Sequence, residues 1–126
     1  MTSETLRSKA QRWLSARRVP RGHLVTSKRY APEESWTKAK AWWIQIPWSA
    51  VRAGKLIHIV CEAEPDSRDF RHLQVPAAFF VEHERDLATL QPDKINLFLA
   101  ADPGIEFQDQ RGPGRVSFAR FETAVK

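Results

Sequence analysis

Ala41-Trp42-Trp43-Ile44-Gln45-Ile46-Pro47-Trp48-Ser49-Ala50-Val51 and Leu73-Gln74-Val75-Pro76-Ala77-Ala78-Phe79-Phe80 decide the fold class. Each is an apolar run that ends in Gln, a β-branched residue and Pro. Proline suits the first helical position, where its missing N–H has no partner to lose. Each stretch therefore predicts a strand that runs into a helix. The first continues past Gly54 into Lys55-Leu56-Ile57-His58-Ile59-Val60. The second continues through a longer helix, to about Leu90, into Lys94-Ile95-Asn96-Leu97-Phe98-Leu99. Both second strands open with Lys and close in a turn, at Glu64-Pro65-Asp66 and Asp102-Pro103-Gly104. A final hairpin is expected from Glu106–Gln110, the turn Arg111-Gly112-Pro113-Gly114 and Arg115–Phe121.

These readings predict an α+β fold. An N-terminal amphipathic helix precedes a mixed or antiparallel sheet, or a small barrel, with two strand-Pro-helix-strand units. If the units are one duplicated element, they pair into a small barrel or a pseudo-symmetric mixed sheet. The other reading is coincidence, because strand–Pro–helix is a common junction. The expected core is Trp13, Ile44, Ile46, Ile57, Ile59, Leu73, Val75, Phe80, Leu87, Ile95, Leu97 and Phe118. Leu73-Gln74-Val75-Pro76 running into a helix resembles, locally, the strand–Pro–helix element of plant B3-type and bacterial swapped-hairpin DNA-binding barrels. That likeness covers a short segment, and no functional residue is taken from it.

The chain has 126 residues, 42% of them hydrophobic, enough for a single domain with its own core. It divides into a helix at 1–18, a basic connection at 19–40 and an α+β body at 41–126. Ser3 reads as the helix cap, with Glu4 in a first turn that favours negative charge. Leu6, Ala10, Trp13, Leu14 and Arg17 follow at spacings of three and four, and Pro20 and Gly22 stop the helix. The connection is irregular, with a short extended piece at His23–Thr26. No apolar run is long enough to span a bilayer, and the N-terminus lacks the apolar core of a secretory signal. Cys61 is the only cysteine, so an internal disulfide and a cysteine-based zinc site are excluded. The expectation is a cytoplasmic protein that takes no cofactor and contacts no membrane.

Charge is segregated along the chain. From Thr5 to Pro32 there is no acid, yet Arg7, Lys9, Arg12, Arg17, Arg18, Arg21, Lys28 and Arg29 are present. The formal net charge of the whole chain is only +5, because residues 62–109 hold eleven acids against four bases. A basic arm attracts polyanions whatever fold lies beneath it. Its functional reading is contact with phosphates by Arg12, Arg17, Arg18, Arg21, Lys28 and Arg29, with Tyr30 and Trp36 stacking on unpaired bases. The plainer reading is a solvated face, or an arm folded onto the protein's own acidic segment.

Other constellations carry less. Trp42 and Trp43 must face opposite ways on a strand, so one is core and the other lines a second layer, a pocket or an interface. Asp66, Asp69 and His72 have metal-ligand residue types, but they fall in or beside a loop that reads as solvated, and no metal site is expected. His58 reads as a buried or half-buried structural histidine, and His83 as the edge of the core. Cys61 and His58 are three apart on one strand, so they point to opposite faces and form no thiol–imidazole pair. Gly-x-Ser-x-Gly, phosphate-loop and His-Glu-x-x-His signatures are absent. Three function classes remain. The first is a small non-catalytic accessory protein that binds DNA or RNA. The second is a protein-interaction module, an inhibitor or adaptor, using the acidic segment and Trp-rich surface. The third is a small enzyme with a dispersed His/Arg/acid site.

Overall fold

A computed structural model of the chain describes residues 5–31, 33, 39–64, 69–90 and 93–123. Thr5 caps the first helix, α1 (Leu6–Ser15), by accepting the Ser8 N–H on its hydroxyl. Ser3 and Glu4, the expected cap and first turn, lie outside the described residues. Leu6, Ala10, Trp13 and Leu14 fall on one side of α1 and pack with Val60, Phe70, Val19 and Leu24. The helix is shorter than the expected 1–18. The Ala16 N–H reaches back to the Arg12 and Leu14 carbonyls, and Arg18 turns left-handed at φ 49°. The stop is therefore made before Pro20 and Gly22.

In the basic connection the extended piece expected at His23–Thr26 is present, and a second strand follows it. The connection holds β1 (His23–Ser27) and β2 (Arg29–Tyr30), joined at Lys28. Then come β3 (Ala41–Pro47), α2 (Trp48–Arg52), β4 (Ile57–Glu62), β5 (Phe70–Val75), α3 (Ala77–Glu82), β6 (Ala88–Leu90) and β7 (Lys94–Ala100). Pro47 and Pro76 stand at the N-caps of α2 and α3. One sheet has the order β1-β4-β5, with β1 parallel to β4; the other has the order β2-β3-β7-β6 and is antiparallel. This is α+β, but the barrel alternative fails. β1 pairs with β4 and β2 with β3, so the two sheets are bridged through the β1–β2 bend and no ladder closes around them. At that bend the Trp43 N–H donates to Ser27 Oγ at 2.9 Å.

Between the sheets lies the main core, which holds Ile44, Ile46, Ile57, Ile59, Leu73, Val75, Phe80, Leu87, Ile95, Leu97 and Phe118. Trp13 alone of the expected set sits apart, half-buried in the smaller cluster under α1. β4 is buried along its whole length because it is covered on both faces: Ile57, Ile59 and Cys61 enter the main core, and Val60 meets α1.

Two further expectations are corrected. α3 ends at Glu82 rather than near Leu90. Glu84–Asp86 form a 3-10 turn, Leu87 drops into the core, and β6 pairs with β7. Burial of Leu87 and the ladder to β7 outweigh continuation of the helix. The final hairpin is shorter than expected: its arms meet at one antiparallel bridge, Gln108 to Ser117, with the Asp109 N–H donating to the Val116 carbonyl at 2.8 Å and the Phe118 N–H to the Phe107 carbonyl at 2.9 Å, and Ala119–Phe121 then form a 3-10 turn. The buried Asp109 carboxylate accepts the Phe98, Arg111 and Gly112 N–H groups at 3.0–3.1 Å, which folds the 111–114 turn onto β7. Burial raises its pKa, and those three hydrogen bonds oppose the rise. A Cβ on Gly112 would come within 2.6 Å of Asp109 Oδ2, so only glycine fits there.

Candidate nucleic-acid interface

α1 lies beside β1, and β1 bends into β2 alongside β3. This places the side chains of three sequence regions on one side of the molecule. Three depressions adjoin there. The first, of about 450 Å³, is lined by Lys9 of α1, Lys28 and Tyr30 of the β1–β2 arm, and Trp43 of β3. The second, of about 290 Å³, shares Thr26 and Trp43 with the first and adds Arg7 and Gln45. The third, of about 610 Å³, shares Arg7 and continues past Arg18, Arg21 and His23. The shared lining residues set the three side by side, and together they make up the groove. Among the described residues Glu62 is its single carboxylate, and that group is buried and accepts the Arg29 N–H at 3.0 Å.

Alternation along β3 explains the aromatic surface. Trp42 faces inward, 1% exposed, stacked on Phe107 at 5.0 Å with its Nε1 donating to the Glu62 carbonyl. Trp43 faces outward at 38% exposure. It lies parallel to Phe98 at 5.7 Å, and its Nε1 donates to Asn96 Oδ1, so the indole is held flat in a fixed position. Lys28 Nζ stands 4.7 Å over the Tyr30 ring.

The predicted contact residues separate into two groups. Arg12, Arg18, Arg21 and Lys28 are exposed. Arg18, Arg21, Lys28 and Tyr30 line the groove. Arg17 and Arg29 turn inward. The Arg17 guanidinium lies 3.5 Å over the Trp13 ring and donates to the Trp13 carbonyl. Arg29 donates to the Ala63 carbonyl and pairs with Glu64 at 3.1 Å. At that point the arm does fold onto the acidic segment. Trp36 lies outside the described residues, as does Asp66. Among the described residues no group of three His, Cys, Asp or Glu side chains converges on a metal position.

Trp43, Arg7 and Lys9 were not among the expected contacts. Period-two alternation showed that Trp42 and Trp43 part, and nothing local said which one was outward. Arg7 and Lys9 were visible as members of the acid-free run.

The groove's far wall is held by buried imidazoles. The Pro20 carbonyl can only accept, so His58 Nε2, 2.7 Å away, carries a proton. His58 Nδ1 and His72 Nε2 share a hydrogen bond at 2.8 Å, and Thr123 Oγ1 lies 3.0 Å from His72 Nδ1. Burial first, then the His58 and Arg17 charges, pushes the His72 pKa down to about 4. Burial, Arg7 and Lys55 also lower that of His23. Cys61 is fully buried and its thiol is pushed up, so it offers no nucleophile.

No protein-family model, curated protein or solved structure matches this chain. Chemically, the groove offers an aromatic platform, a track of fixed cations and few competing carboxylates. Among the described residues no helix is long and apolar enough to cross a membrane.

Proposed function

We propose that this protein binds nucleic acid, with single strands preferred over duplex, along the groove from Tyr30 and Trp43 to Arg18 and Arg21. One observation carries the reading. The outward, rigidly held Trp43 lies in the same groove as Lys9, Lys28 and Arg7. Stacking on an aromatic needs an unpaired base, and cations beside it follow the backbone of that strand. Arg17 and Arg29 serve the fold in this reading, and Arg7 and Lys9 replace them as phosphate contacts. The two strand-Pro-helix-strand stretches are read as one repeated unit. What supports this is that β3 pairs with β7 while β5 pairs with β4, setting Ile46 opposite Ile95 and Val75 opposite Ile57.

The test is a titration of fluorescently labelled single- and double-stranded DNA and RNA at two salt concentrations. The single strand is expected to bind more tightly. Trp43→Ala should weaken it by roughly 1–3 kcal/mol while leaving the slope of log affinity against log salt unchanged. Absence of binding at low salt ends the reading. Wild-type affinity in the Trp43 variant moves the contact away from this groove.

A further inference from the structure

We infer that the cleft at the end of this groove, between α1 and the 16–22 turn, is a subsite for the terminal phosphate monoester of a bound strand. This rests on the nucleic-acid reading above and assigns one part of the groove to one chemical group.

Charge density is the first reason. Arg7, Arg18 and Arg21 line one concavity with His23, and among the described residues no carboxylate lines it. An internal phosphodiester brings one negative charge. A phosphate monoester brings nearly two, with three acceptor oxygens, and guanidiniums meet such a group with paired, charge-assisted hydrogen bonds. The second reason is room. At about 610 Å³ the cleft falls in the roughly 300–1,000 Å³ range of small-ligand sites, so it admits the terminal nucleotide as well as its charge. Gln11 and Ser15 add neutral hydrogen-bonding groups to the lining.

The third reason is preorganisation. The backbone that carries Arg21 is clamped onto the start of β4. The His23 N–H donates to the Leu56 carbonyl at 2.7 Å, and a Cβ on Gly22 would stand 2.3 Å from that same oxygen. His58 holds the Pro20 carbonyl from below. Arg18 keeps a left-handed φ of 49°, a conformation that side chains other than Gly, Asn and Asp rarely take. That left-handed turn, which ends α1, fixes the direction in which the 18–22 segment leaves the helix. Burial first, then the Arg7 and Lys55 charges, lowers the His23 pKa, in keeping with a cationic cleft.

The experiment compares one single-stranded oligonucleotide in three forms: hydroxyl at both ends, phosphate at the 5′ end, and phosphate at the 3′ end. Each is titrated at one low salt concentration against the wild type, Arg18→Ala/Arg21→Ala and Trp43→Ala, with a nucleoside monophosphate as competitor. Phosphate at one end is expected to raise affinity roughly tenfold, the gain of one or two strong hydrogen bonds. The gain should vanish in the double arginine variant and persist in Trp43→Ala. Displacement of the phosphorylated oligonucleotide by the monophosphate down to the level of the hydroxyl form would also support the subsite. Equal affinity for all three forms, or an equal gain from phosphate at either end, overturns the subsite and leaves the groove reading standing. Binding of none of the three overturns both.

Discussion

Arg71 lies between two carboxylates, whereas Arg7, Arg18 and Arg21 line a cleft with none among the described residues. Arg71 reaches from β5 to Glu122 with two hydrogen bonds, at 2.7 and 2.8 Å, and to Glu106 with a third. Its guanidinium also covers Phe107 at 4.6 Å. That cluster ties the 101–123 segment to the sheet, and its arginine is fully countered by the two carboxylates. The cleft has the reverse balance: several cations, a histidine held toward its neutral form, and no opposing charge among the described residues. A matched arginine stabilises the fold. An unmatched group of arginines adds self-repulsion that only an external anion relieves. The comparison therefore separates arginines that serve structure from arginines that serve binding, which the count of basic residues does not do.

The largest effect expected from that comparison is at Arg71. Arg71→Met keeps packing over Phe107 but leaves Glu106 and Glu122 facing each other, half-buried. Stability should fall by about 2–3 kcal/mol, less than the 3–5 of a fully buried pair, read from the urea midpoint. Affinity for single strands should hold within a factor of two. An unchanged midpoint would break the contrast between the two regions.

The wall of the cleft gives the next effect. Folding holds His72 below its ordinary range, so the unfolded chain binds more protons between pH 6.5 and 4. Stability should be complete above pH 6.5 and decline as pH falls through this window. With part of the effect screened by water, the loss is on the order of 2 kcal/mol. Denaturation series at several pH values should show the slope in the wild type and a flatter one in His72→Gln. The same slope in both would remove the imidazole chain from the account of the cleft.

The smallest stability effect belongs to Arg18→Ala/Arg21→Ala. Exposed and unmatched, these side chains should leave stability within about 0.5 kcal/mol. The slope of log affinity against log salt for a single strand should flatten by roughly 1.4, since each phosphate contact supplies about 0.7. A large loss of stability would place these two arginines with Arg71 instead.

Much of the fold could be read from short stretches. The alternation of Trp42, Ile44 and Ile46, and of Ile57, Ile59, Leu73, Val75, Ile95 and Leu97, announces strands whose inward residues are all buried. Pro47 and Pro76 mark the helix starts because the constraint they impose is local. The failures share a different cause. The end of α3, strand β2 with the sheet pairings of the 19–40 arm, and the docking of the last segment on β7 depend on partners far along the chain: β7 for β6, β3 and β4 for the arm, Phe98 for Asp109. The candidate site was legible as an acid-free run. Which of its arginines face outward was not.

Trp42 and Trp43 mark the division most clearly. The sequence by itself determined that these adjacent side chains point to opposite faces, because the β period is two. It also determined the excess of positive charge between Thr5 and Pro32. Only the tertiary structure decided that Phe107 and the Glu62 carbonyl cover Trp42 while Trp43 stays open beside Lys9 and Lys28. It also turned Arg29 inward to Glu64 and left Arg18 and Arg21 at the cleft. The physical reason is that a strand's period is set by its own backbone. Burial and charge neutralisation are set by whichever distant segments the fold brings against each face.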